Sequence, residues 1–194
     1  EYATVDATKR IITRCSVKTT SNRVVTVKVA KSDPPVALSV GELASLQGYL
    51  TQGGDGTLLN PGVGIGFAGV EIIASSLASD KVFLEGTIYY DGQYNSTIQD
   101  AVIQAINDYL AAIPFDGVIK VIDLTDAIQA VPGVNDLLIE NFAVRADTTA
   151  FGSKTYLIQS FTQAFTGYSL FAGYCVEETT AGETFTDKLT FEAS

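Results

Sequence analysis

Apolar and polar residues alternate from Ile11 to Thr19 and again from Val24 to Ala30, a period of two that predicts strands. Thr20-Ser21-Asn22-Arg23 is expected to turn between them, and Ser32-Asp33-Pro34-Pro35 to end the hairpin, because two prolines cannot continue a ladder. Ser39 then opens a helix. Glu42 stands three residues on, completing a capping box, and Leu43, Leu46 and Leu50 follow at helical spacing. Val82 to Tyr90 reads as a strand and Asp91-Gly92 as a turn. The next helix is expected to be capped by Ser96 with Gln99 in the capping-box position. Ile98, Val102, Ile106, Tyr109, Leu110 and Ile113 form one stripe at the 3.6-residue period. Val118 to Ile122 is extended. Asp123 is expected to cap a shorter helix through Ala130, and Val134 to Arg145 returns as a strand. Beyond Ala146 only strands are predicted: Thr155 to Phe161, Leu170 to Glu177 and Thr184 to Phe191, with a hairpin at Ala181-Gly182.

The pattern gives an α+β fold. Residues 1–80 form a hairpin, a helix, a Gly-rich loop and a strand. Residues 81–146 form a strand–helix–helix–strand unit, and residues 147–194 a β-rich tail. Whether that tail packs on the preceding domain stays open. Tyr156, Phe161, Phe165, Tyr168, Phe171 and Tyr174 make the tail aromatic. Such a face covers a core or docks another subunit, and these six residues are the interface candidates.

Composition narrows the chemistry. With 22 acidic and 12 basic residues the net charge is −10, which disfavours nucleic acid. No apolar window is long enough for a membrane helix, and no signal peptide opens the chain. The absence of Met suggests an excised or processed piece. The chain has no histidine, which removes Ser–His and Cys–His nucleophiles and His-type metal sites. Cys15 and Cys175 fit no metal or redox spacing and are expected as buried free thiols, with a bridge between them the lesser alternative. Gly64-Ile-Gly66-Phe-Ala-Gly69 matches G-x-G-x-x-G. A loop precedes it and strand character follows, so a flexible connection is expected rather than a dinucleotide site. Asp123 and Asp126 are better explained by helix capping and the first-turn dipole than by a metal. Asp80, Glu85 and Asp91 are expected to be solvated. Asn95-Ser96-Thr97 is formally a glycosylation sequon, to which the absence of a signal peptide lends no weight. No catalytic centre, cofactor or metal is expected.

The run Gly86-Thr-Ile-Tyr-Tyr-Asp-Gly leads into Ile98-Gln-Asp-Ala-Val-Ile-Gln-Ala-Ile-Asn-Asp-Tyr-Leu. Phe115-Asp-Gly-Val-Ile, Asp123-Leu-Thr-Asp-Ala-Ile and Val131-Pro-Gly-Val-Asn-Asp-Leu follow. This order resembles the C-terminal half of the baseplate J family, the wedge proteins of contractile phage tails and related injection machines. The hairpin, the helix at 39–52 and Ala68-Gly69-Val70 extend the resemblance over residues 10–145, and the tail after Ala146 lies outside it. The resemblance implies a structural protein of the virion baseplate, assembled in the bacterial host cytoplasm. Its partners would be other baseplate or tail proteins in a homo- or hetero-oligomer, without enzymatic activity, cofactor, nucleic acid or membrane. The aromatic tail leaves a second expectation, a non-catalytic receptor- or glycan-binding β module.

Overall fold

A computed structural model describes residues 11–19, 23–52 and 70–194. The chain divides into two compact units, Glu1–Ala78 and Ser79–Ser194. The Gly-rich loop and the Thr20–Asn22 turn lie outside the described residues.

In the first unit, β1 (Ile12–Thr19) pairs antiparallel with β2 (Val24–Lys31), and β3 (Glu71–Ser75) joins β2 in parallel. Thr13 is bulged out of β1, and its hydroxyl donates to Ser32 O at 2.8 Å. The helix α1 (Val40–Gln52) opens with the expected box: Ser39 N donates to Glu42, and Glu42 N to Ser39 Oγ. The same carboxylate takes Lys31 Nζ at 2.7 Å. Those hydrogen bonds, Lys31 first and Ser39 second, hold Glu42 down at a pKa of about 2. Farther along α1 the Gln47 amide donates to Ile72 O at 2.7 Å and accepts from Ala74 N at 2.6 Å. Glu71 N bonds Arg23 O on the β2 side, so the polar groups of Ile72 and Ala74 face the outer edge of β3. Gln47 occupies that edge as a peptide group would.

In the second unit, β4 (Asp80–Tyr90) pairs antiparallel with β6 (Val134–Arg145), then β7 (Thr155–Gln159) and β8 (Thr162–Gln163) extend the sheet. Between β4 and β6 come α2 (Ile98–Ala112), β5 (Val118–Lys120) and α3 (Val121–Gln129). Even-numbered Val82, Leu84, Ile88 and Tyr90 enter one core with Ile98, Val102, Ile106 and Leu110 of α2 and Val121, Leu124 and Ile128 of α3. The α2 stripe is thus the one the 3.6 period predicts, and each fully buried aliphatic side chain contributes roughly 1.5–3 kcal/mol.

Residues 147–194 are not a separate tail, because they supply strands on both sides of the same sheet. β10 (Cys175–Glu177) and β11 (Leu189–Ala193) both run parallel to β4, along its free edge. Ala181-Gly182 is therefore a turn within an excursion rather than a hairpin. That excursion holds a single turn, α4 (Phe185–Lys188), closed by a Thr184/Asp187 capping box and anchored by the fully buried Phe185. β9 (Gly167–Ser169) leaves the main sheet and pairs with β5 in a two-stranded ribbon.

Two expected caps shift. The N-cap of α2 is Thr97, not Ser96, and the Thr97 hydroxyl donates back to Tyr94 O in the preceding 3-10 turn. The N-cap of α3 is Lys120. Asp123 falls in the first turn instead, 3.6 Å from Lys120 Nζ. Leu170–Tyr174, expected as strand, is a loop ahead of β10, buried except at Phe171.

Candidate interaction surface

The six aromatic candidates do not lie on one surface. Tyr174 is buried and stacks on Phe115 with ring centroids 6.3 Å apart. Burial, and then the Asp80 carboxylate, push its hydroxyl above the usual tyrosine value, and the same two causes act on half-buried Tyr168. Tyr156 belongs to a cage on the sheet face away from the helices. There Lys154 Nζ sits 3.5 Å from the Phe151 ring centroid, 4.9 Å from Phe83 and 5.1 Å from Tyr156, so the cation–π contacts are internal. Phe161, Phe165 and Phe171 remain, each more than half exposed.

The ribbon explains two of these three. Leu170 N donates to Gly117 O and Val121 N to Thr166 O. With the register Ile119↔Tyr168, the hydrogen-bonded pairs are therefore 117/170, 119/168 and 121/166. Ile119 and Tyr168 face the core, while Val118, Lys120, Gly167 and Ser169 face out. Phe165 and Phe171 flank β9, beyond or at bends in the chain, and Ile122 follows β5 at the start of α3. Val118 is 44% exposed, Ile122 64%, Phe165 57% and Phe171 55%, four large apolar side chains left in solvent on the ribbon and the residues that flank it. A Cβ at Gly167 would lie 2.8 Å from Ile119 O, so glycine is what lets the two strands close here.

Asp80 positions Phe171. Expected in solvent, its carboxylate is fully buried and accepts the N–H groups of Phe171 and Ala172. Its own N–H bonds Tyr174 O. A buried carboxylate is tolerable where backbone donors meet it, and here those donors are the loop that turns Phe171 outward. Nothing in the local pattern at Asp80 signals this, since the partners lie ninety residues away.

A second fixture ties the same segment down. Glu178 is buried and meets Arg145 in a two-pronged pair, Nε to Oε2 and Nη2 to Oε1, both 2.7 Å. The remaining capacity of Glu178 is filled by Thr179 N, Thr180 N and Thr180 Oγ1, and Arg145 Nη1 donates to Thr149 O at 2.6 Å. Burial alone would raise the Glu178 pKa; Arg145 and Thr180 outweigh it and hold it at about 2.

Other chemistry-bearing residues stay apart. Cys175 is buried, its thiol pushed up to about 12 by burial and by Asp80, whereas Cys15 is exposed, contrary to expectation; both thiols are free. Among the described residues no group of three or more His, Cys, Asp or Glu could hold a metal. In the first unit an open groove of about 840 Å³ is lined by Ile12, Leu38, Leu46 and Tyr49, with Glu42 at its side already engaged by Lys31 and Ser39. No helix among the described residues is long and apolar enough to cross a membrane.

No known family model and no curated protein sequence matches this chain.

Proposed function

We propose that the chain is a structural component of a phage or phage-derived contractile tail baseplate, acting through subunit–subunit interfaces in wedge assembly. The observation that carries the proposal is the apolar outer face of the β5–β9 ribbon, where Val118, Ile122, Phe165 and Phe171 stand in solvent on a rigid, core-anchored base. Exposed apolar area on a fixed scaffold suits a docking face more than a catalytic cleft. The succession β4, α2, α3, β6 supports it as well, in the order noted for the baseplate J resemblance. On this proposal the partners are other baseplate or tail proteins, the protein is not an enzyme, and it resides in the virion.

The three exposed phenylalanines also favour a second function, a receptor- or glycan-binding module. The two part in one experiment. The tagged chain is co-expressed with the tail proteins encoded beside it, and in parallel applied to a glycan array. Co-purification that is lost in Phe171→Asp supports assembly. Glycan binding without any co-purifying tail protein rejects it.

A further inference from the structure

We infer that Lys188 and Asn141 join in an isopeptide bond, which the chain forms on itself with Glu85 passing the protons. The three residues lie in a row across the second unit's sheet. Val82 and Leu84 point into the core, so Glu85 points to the opposite face, away from α2 and α3. The register Glu85↔Asn141 sets the asparagine of β6 on one side of β4. On the other side the parallel register Leu189↔Gly86 brings Lys188, the last residue of α4, alongside Glu85. Expected in solvent, Glu85 instead stands between an amine and an amide. Its Oε2 accepts Asn141 Nδ2 at 2.7 Å, and its Oε1 lies 4.0 Å from Lys188 Nζ. All three residues are partly buried.

The Asn141 amide is oriented for attack. Ser160 N donates to Asn141 Oδ1 at 3.0 Å, so the amide oxygen meets an N–H while the amide nitrogen meets a carboxylate. These two partners fix which amide atom is which. An N–H aimed at a carbonyl oxygen stabilises the charge that develops there when a nucleophile adds to the carbon. A carboxylate against the leaving nitrogen can hand it a proton. Nucleophile, proton carrier and oxyanion donor thus converge on Asn141 Cγ. Two strand spacings, roughly 9–10 Å, separate the backbones, within reach of a lysine side chain linked to an asparagine. The buried Phe83 ring, 6.0 Å from Lys188 Nζ, shields one side of the site, and Glu183 Oε2 holds the ammonium there at 3.3 Å.

The reaction balances within the chain. Lys188 gives one ammonium proton to Glu85, and the neutral amine adds to Asn141 Cγ. The Nζ–Cγ bond forms as Oδ1 takes the negative charge under the Ser160 N–H. Glu85 passes its proton to Nδ2 and takes a second one from Nζ. The carbonyl re-forms, the Cγ–Nδ2 bond breaks and ammonia leaves. Ammonia then takes the proton from Glu85 and departs as ammonium, restoring the carboxylate. Holding the groups side by side replaces any co-reactant. The product ties α4 and β11 to β6 across β4, and does so independently of the assembly function.

Intact-mass measurement of the whole chain under denaturing conditions, after a day at about pH 8, tests this. The expected mass is about 17 Da below that of the sequence, the ammonia lost. Proteolysis is expected to release one branched peptide joining Lys188 to Asn141. Lys188→Arg, Asn141→Ala and Glu85→Gln are each expected to keep the full mass, with an unchanged circular dichroism spectrum certifying the fold. Full mass in the parent chain overturns the inference. So does an ammonia loss that maps to Asn141 alone or to another pair, or a Glu85→Gln chain that links as readily as the parent.

Discussion

The Tyr109 hydroxyl serves both polar groups of Lys120, accepting its N–H and donating to its C=O. A side chain from α2 thereby completes the edge of β5 as a neighbouring strand would. Gln47 does the same at β3, taking Ile72 O and Ala74 N. Both act by satisfying an edge that would otherwise recruit another chain.

Removing the hydroxyl tests the guard. Tyr109→Phe keeps the ring in the core margin and frees the two groups to water. The expected loss is about 0.5–1.5 kcal/mol in chemical denaturation, with faster amide exchange at Lys120 than at Ile119.

Arg145 and Glu178 give a larger effect. Glu178→Gln leaves a largely buried guanidinium without its counter-charge and is expected to cost about 3–5 kcal/mol. Arg145→Met with Glu178→Leu removes both charges and is expected to cost less than the single change. A double-mutant cycle in urea measures the difference.

The same pair sets an acid limit. The folded-state pKa of Glu178 is about 2, against an ordinary value of 4.5. Between those values the unfolded chain binds more protons than the folded one. The stabilisation is thus fully present above about pH 4.5 and is lost as pH falls towards 2. It is on the order of 3 kcal/mol. Denaturation midpoints from pH 6 down to about 2 are expected to fall across that window in the parent and to fall less in the Arg145→Met/Glu178→Leu variant.

The two thiols differ in reach. Cys15 is exposed, and Cys175 is buried with its thiol pushed up to about 12. A thiol reagent at neutral pH is expected to modify Cys15 in the folded chain and Cys175 only after denaturation. Mass mapping of the adducts checks this, and rapid native modification of Cys175 would contradict its burial.

Gly86 sits where β6 bulges, with Glu85 opposite Asn141 and Gly86 opposite Ile139, so that Glu140 is the extra residue. A Cβ at Gly86 would stand 2.4 Å from Leu138 O. Gly86→Ala must therefore move backbone and is expected to cost roughly 2 kcal/mol or more, read as a lowered thermal midpoint.

Sequence alone determined the elements whose burial repeats with a fixed period. The α2 stripe, the alternation of β4, the bounds of β6 and the Ser39/Glu42 box depend on residues a few positions apart, and local spacing records them. Where caps competed, local pattern misled: Asp123 has the chemistry of an N-cap, yet β5 runs straight into α3 and Lys120 takes that place. Thr184 to Phe191 has strand composition, but its Thr184/Asp187 box and buried Phe185 make a helical turn first. Tertiary structure alone decided the rest. It merged the expected tail with the central unit by setting β10 and β11 along β4, buried Asp80 beneath the Phe171 loop, and joined Arg145 to Glu178. It also sorted the six aromatic candidates, sending Tyr174 inward and leaving Phe165 and Phe171 outside. Those outcomes turn on which distant segment reaches a given hydrogen-bonding edge, and no residue's immediate neighbours carry that information.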